Sequence, residues 1–469
     1  MKVLLWLLFF CSAPAFASGY LASEPSNLGL IWIIPFAGLL LSIAIFPLIA
    51  PRFWHHHFGK VALFWALVFL GPYAMQYGPA QAAHDVAHTV LLEYIPFIVL
   101  LLALYTVTGG IYIRGNLHGT PLLNTGLLAT GTALASFMGT TGAAMLLIRP
   151  LIRANDNRRH NKHVIIFFIF LVGNVGGALT PLGDPPLFLG FLKGIDFFWP
   201  MKMMLMPMLL LSGILLALFY ALDYYYYHHG QEERPIFMDP TVDRPLHMEG
   251  GANFLLLGGI VASVLLSGLW KPGILFQIMG TAVELQNIVR DLLLLGIANL
   301  SWLLTPRTIR TGNAYTWAPM LEVAKLFAAI FVTILPVIAI LRMGQDGALA
   351  PLVSLVNNAQ GQPDNVMYFW LTGILSSFLD NAPTYLVFFN VAGGDPAQLM
   401  GPLATTLLAI SAGAVFMGAN TYLGNAPNFM IKAIAEERGI KMPGFFGYML
   451  WSGVILMPCF VVLTLIFFQ

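Results

Sequence analysis

The sequence predicts an all-α membrane protein: about ten spanning helices, plus two re-entrant hairpins, in an inverted-topology repeat with broken helices. Three observations lead there. The 469-residue chain is 58% hydrophobic and only 9% charged, where a soluble domain carries roughly 25% charge. Its mean hydropathy is +0.79, and apolar runs of about 20 residues recur, the length of a helix across a bilayer core. Two of those runs are interrupted by Gly, Pro and polar residues, and the interruptions recur at one fixed offset.

The alternating short segments of a β-barrel are absent. A net charge of +1 gives no signal for a nucleic-acid partner. Cys11 and Cys459 both sit in apolar runs, so no disulfide framework is implied.

Taken in order, Met1–Ser18 has Lys2, an apolar run and Ala15-Phe-Ala17. That is the shape of a signal peptide over residues 1–17, and it predicts a bacterial inner membrane protein with an outward N-terminus. The first half, 28–222, holds spans at 28–49, 61–77, 94–113 and 201–222. It also holds a polar-interrupted segment at 122–152 and a broken helix at 164–192. Arg52, Lys60, Arg114 and the cluster Arg153, Arg158, Arg159 and Lys162 mark the cytoplasmic side. Segment 122–152 then begins and ends on that side. Its second limb, from Ala143 to Ile152, is only about 15 Å of helix, so a re-entrant hairpin is expected.

Residues 223–250 read as a solvated connector, and Tyr224–Tyr227 as an interfacial belt. The second half, 251–469, has spans at 253–270, 285–304, 317–341 and 445–468. Its hairpin is expected at 368–391, entering from the outside, and its broken helix at 404–434. Glu322 and Lys325 are expected to form an interfacial ion pair. Arg149 is expected to snorkel toward the cytoplasm or to counter an anion.

The halves repeat. Ser136-Phe-Met matches Ser377-Phe-Leu at an offset of 241, and Gly177, Thr180, Leu182, Gly183 and Pro186 match Gly418, Thr421, Leu423, Gly424 and Pro427 at the same offset. With opposite hairpin directions, this describes an inverted repeat, and paired broken segments of this kind point to a transport site.

The chemistry is expected at those breaks. The first half offers Thr140 and Thr141 at its hairpin, and Asn174, Thr180 and Asp184 in its broken helix. The second offers Asp380, Asn381 and Thr384 at its hairpin, and Asn420, Thr421, Asn425 and Asn428 in its broken helix. Hydroxyl, amide and carboxylate oxygens suit hard cations, and broken helices free carbonyls for Na⁺ and N–H groups for anions. A carboxylate within a membrane segment signals function. Water exclusion favours its protonated form and a bound cation its ionised form, so Asp184 and Asp380 are expected to exchange Na⁺ for H⁺. The bland alternative is that each Asp merely caps a helix.

At these motifs the chain resembles the ion transporter superfamily, which includes the D-type sodium/proton antiporters, the arsenite efflux permeases, and the citrate and dicarboxylate transporters. The carrying residues are Gly176-Gly-Ala-Leu-Thr-Pro-Leu-Gly-Asp-Pro-Pro186, Phe378-Leu-Asp-Asn-Ala-Pro-Thr384, Gly424-Asn-Ala-Pro-Asn-Phe429 and Leu104-Tyr-Thr-Val-Thr-Gly-Gly-Ile111. The Gly-Asp-Pro-Pro and Asp-Asn-x-Pro-Thr pieces look most like the antiporter and arsenite branches. The chain departs from them at Gly139-Thr140, where those branches often carry Asp-Asn. The resemblance implies ion sites at the hairpin tips and a homodimer of scaffold and moving transport domains.

The expected function is a cation-coupled secondary transporter, first a sodium/proton antiporter and otherwise a Na⁺-coupled citrate or dicarboxylate symporter. No resident cofactor is expected. Na⁺ is the expected coupling or transported ion, and the lipid bilayer and a small ion or carboxylate are the expected partners. An enzyme is disfavoured because no nucleophile–base or metal constellation lies within a span, and the eleven His fall at span ends or in loops.

Overall fold

The computed structural model describes residues 28–229, 244–358 and 360–469. The signal-peptide expectation for 1–17 lies outside them. Eight helices among the described residues are long and apolar enough to cross a membrane: Leu30–Ile49, Pro51–Tyr77, Pro79–Thr108, Trp199–His229, Ala252–Leu269, Leu285–Leu304, Ala318–Arg342 and Phe445–Phe467. Two shorter apolar helices, Lys162–Ala178 and Ala404–Asn420, are the broken ones. Leu, Ile and Phe cover the outer faces of the long helices, as at Leu255, Leu303 and Leu450. Such faces suit lipid, which supplies no polar partner. The molecule is a multi-pass membrane protein.

The shortest apolar elements are the most deeply buried. In Lys162–Leu171 every residue from His163 onward is buried, and so is every residue from Thr406 to Met417 in Ala404–Met417. Polar breaks in these helices are therefore sheltered by protein, the condition under which a broken helix is tolerated at membrane depth.

Each predicted hairpin is a pair of helices meeting at a tight turn. The first joins Pro121–Met138 to Thr140–Ala154 through Gly139, whose φ of 79° falls in the region glycine occupies without a Cβ clash. Thr120 caps its entry by accepting from Leu123 N at 3.2 Å. The second joins Asn365–Phe378 to Asn381–Val391 through Leu379 and Asp380.

Several expectations are corrected. The helix beginning at Trp199 runs to His229, so Tyr224–Tyr227 belong to it and not to the connector. Four short strands interrupt the all-helical pattern among the described residues. Tyr112–Asn116 pairs antiparallel with Arg244–Glu249, and Leu275–Ile278 with Thr281–Glu284. The latter hairpin turns at Met279 and Gly280, both at positive φ (50° and 80°), as a two-residue turn requires. Its apolar, polar-flanked strands carry no strong period, which is why they read as loop. Glu322 and Lys325 form no ion pair; the Lys325 ammonium lies 5.4 Å from the Phe58 ring instead.

A buried polar network was also hidden in the sequence. His163 is not at a free helix end; its Nε2 lies 2.7 Å from Asp223 Oδ1. Arg158 Nη1 is 2.7 Å from the same oxygen, and Asn124 Nδ2 donates to Asp223 Oδ2 at 3.0 Å. The network ties the first hairpin's entry, the Arg153–Lys162 turn and the long helix together.

Candidate functional site

The two broken helices cross at their breaks, with a hairpin tip beside each. In the first half, Lys162–Leu171 gives way to a loop that resumes as Pro185–Leu192; in the second, Ala404–Met417 resumes as Ala426–Glu437. Proline just inside each restart fits the first helical turn, which needs no donor there. The loops fold back sharply. A Cβ on Gly183 would stand 2.2 Å from Gly177 O, and one on Gly424 would stand 2.5 Å from Gly418 O. Only glycine permits either approach.

The repeat seen in the sequence is repeated in the hydrogen bonds. Ser136 Oγ donates to Gly176 O at 2.5 Å, and its counterpart Ser377 Oγ donates to Met417 O at 3.0 Å. Thr180 Oγ1 donates to Ser136 O, and Thr421 Oγ1 donates to Ser377 O. Leu182 N donates to Thr180 Oγ1 at 3.1 Å, and Leu423 N to Thr421 Oγ1 at 3.0 Å. Each hairpin is thus fastened to the break of its own half by the same side chains. Ser136 and Ser377 were legible as a repeat but not as the residues that hold the tips.

The halves meet at Asp184. Its carboxylate is 1% exposed. Oδ1 accepts from Asn425 Nδ2 at 2.9 Å and from Thr140 Oγ1 at 3.3 Å; Oδ2 accepts from Asn381 Nδ2 at 2.5 Å. Asp184 and Asn425 are repeat partners, 241 residues apart, and so are Thr140 and Asn381. Pairs related by the repeat therefore meet around a pseudo-two-fold axis, with the Asp184 carboxylate beside it. Asn174 joins the halves a second time, donating to Asn428 Oδ1 at 2.7 Å and to Ile169 O at 2.8 Å. Asn428 in turn donates to Gly418 O and Thr421 O, both at 2.9 Å. Asn420 Nδ2 donates to Ser377 Oγ at 2.8 Å.

Both aspartates were expected at the ion site, and the structure gives them different hydrogen-bond settings. Asp184 stands at a helix start yet makes no capping bond. Asp380 does cap: its Oδ1 accepts from Ala382 N at 3.0 Å, and its carbonyl accepts from Thr384 Oγ1 at 3.0 Å. Asp380 is half-buried and makes no hydrogen bond to Asp184. So the structure brings Asp184, Thr140, Asn381 and Asn425 into direct contact. Thr180, Thr421, Asn174, Asn420 and Asn428 form the surrounding frame, and Asp380 and Thr384 serve the second tip.

Several buried amide oxygens here accept no hydrogen bond: Asn381 Oδ1, beside Asp184, and Asn174 Oδ1 and Asn420 Oδ1 in the frame. Uncompensated buried acceptors are costly. No lysine, arginine or histidine lies within ion-pair distance of Asp184 among the described residues. A cavity of about 110 Å³ opens beside it, lined by Leu104, Tyr105, Thr141, Asp184, Met320 and Met430 among others. Thr141 thus faces this space and not the carboxylate.

Two broken helices crossed at their breaks, clamped by paired hairpins around a buried acid in a multi-span chain, are the architecture of a membrane transporter. Residues 25–468 match the family described as "Putative citrate transport", and the chain belongs to that family. No curated protein matches the chain.

Proposed function

We propose that the chain is a cation-coupled secondary transporter of a bacterial inner membrane, a sodium/proton antiporter in which Asp184 alternates between Na⁺ and H⁺. One observation carries this reading: a buried carboxylate with no cationic partner, beside an amide oxygen that accepts no hydrogen bond. A hard monovalent cation is bound by such oxygens. A proton neutralises the same carboxylate, so the two compete for one charge. Asn425, Asn381 and Thr140 hold the acid in place in either state by donating to it. The test is Na⁺-driven proton flux in proteoliposomes. Asp184→Asn should abolish it; wild-type flux in that variant would remove Asp184 from the reaction.

A second reading is Na⁺-coupled symport of citrate or a dicarboxylate, and the family description favours it. Here the cation at Asp184 would be the coupling ion. Uptake of labelled citrate that follows an imposed Na⁺ gradient separates this from exchange. In either case the two-domain motion of the resembled superfamily calls for a homodimer, which cross-linking in native membranes would test.

A further inference from the structure

The helix Thr140–Ala154 carries Thr141, Met145, Arg149 and Arg153 at intervals of four, which puts them on one face. Thr141 lines the cavity beside Asp184. Met145 packs with Tyr105 and Met320, which line it too. Arg149 stands about 12 Å along the helix from Thr141, and Arg153 about 6 Å further.

Arg149 is only 9% exposed, its Nη1 is fully covered, and no described residue hydrogen-bonds to it. The expected snorkelling is partial, since Nη1 is covered. The opposing charge that acts on it, Glu437, is exposed, forms no ion pair with it and is followed by Arg438. Arg153 donates to Tyr112 Oη at 3.2 Å and to Ile113 O at 2.7 Å, and among the described residues it has no carboxylate at ion-pair distance. Other buried arginines are supplied. Arg158 meets Asp223 at 2.7 Å and Arg290 meets Asp291 at 2.8 Å. Arg310 lies against the Trp302 and Tyr315 rings and donates to Thr106 O and Ser301 O. A buried guanidinium without an anion is costly, and its planar fork fits a carboxylate with two parallel hydrogen bonds.

We infer that Arg149, with Arg153 behind it, is a carboxylate-binding station on the route from the basic Arg153–Lys162 face to the cavity at Asp184, and that it takes a small polycarboxylate. This rests on the symport reading. The negative charge of Asp184 opposes entry of such an anion into the cavity until a cation neutralises it. Anion held at Arg149 and cation held at Asp184 would then advance together.

The test is ligand-induced thermal stabilisation of the purified full-length protein, titrated with citrate and, separately, with Na⁺. Wild type should be stabilised by citrate. Arg149→Gln should weaken citrate binding by about tenfold or more, the loss expected for one bidentate charged contact, and Arg149→Lys should fall between. The Na⁺ response should be the same in all three, which also shows that the variants are folded. Wild-type citrate affinity in Arg149→Gln, or no citrate response in the wild type, would overturn the proposal, while an intact Na⁺ response would leave cation exchange at Asp184 standing. A third series in nanodiscs with and without phosphatidylglycerol addresses lipid. A stabilisation that depends on Arg149 and on anionic lipid, not on citrate, would also overturn it.

Discussion

The contact between Asp184 and Asn425 can be tested by exchanging the two residues. They are related by the repeat and 2.9 Å apart. Asn425→Asp places two carboxylates at that separation. At an effective dielectric of about 20, their repulsion is about 6 kcal/mol, more than half the stability of a typical domain. The folded variant escapes by holding a proton between the two acids. It then binds more protons folded than unfolded, so its stability should rise as pH falls. Asp184→Asn removes the charge and sets amide against amide. The double exchange, Asp184→Asn with Asn425→Asp, returns one carboxylate to the axis. The amide at 184 can donate to the new acid and accept from Asn381 with its oxygen. The residual losses are the hydrogen bond from Asn425 to Gly173 O, 3.1 Å in the native protein, and the 3.3 Å one from Thr140, whose acceptor becomes the donating amide nitrogen, about 1 kcal/mol each. Apparent melting temperatures in detergent at one scan rate, across a pH series, give the cycle. The coupling should reach about 2 kcal/mol or more, with the double exchange melting well above Asn425→Asp at neutral pH. Additive effects, within about 0.5 kcal/mol, would mean that the two side chains do not face each other.

Gly183→Ala and Gly424→Ala should each destabilise by about 1–3 kcal/mol through backbone crowding, whereas Gly453→Ala, which has open space at its Cβ, should stay within about 0.5 kcal/mol; melting temperatures decide. Asp380→Asn should keep its cap, because asparagine caps as well as aspartate, and should retain Na⁺-driven flux. Loss of flux in that variant would return Asp380 to the ion site. Asp223→Asn leaves Arg158 buried without its counter-charge and should cost about 3–5 kcal/mol, seen as a lower melting temperature and lower yield. Replacing both Asp223 and Arg158 with apolar residues should cost less.

Much of this frame was legible in the sequence because the repeat leaves its mark in residue types that cannot be exchanged. Gly183 and Gly424 are fixed by a backbone approach, and Thr180 and Thr421 by a hydroxyl that reaches a neighbouring carbonyl. The ten-helix pattern was legible because lipid-facing surfaces must be apolar along their whole length. What was not legible depended on direction. Asp184 and Asp380 each precede a Pro-containing helix start, and nothing local distinguishes the one that turns inward from the one that caps. The Asp223–Arg158–His163 cluster joins residues 60 or more apart, and each alone resembles an interfacial charge. Arg149 looked like an ordinary snorkelling residue because only packing against the second half shows how little of it stays exposed.

The clamps from Thr180 and Thr421 to the hairpin helices of their own halves have a mechanical consequence. Neither tip can swing outward alone without breaking buried hydrogen bonds, and Asp184 ties the two halves into one block. The surface around that block is of another kind. Against the helix Ile95–Thr108 it presents a ring: Phe188 lies 6.5 Å from Phe97. Such a contact is worth only about 0.5–1.5 kcal/mol beyond the area it buries. An ion pair between Lys193 and Glu93, 2.5 Å long, crosses the same seam. The block is thus braced by hydrogen bonds within and joined to this helix by ring contact and an ion pair.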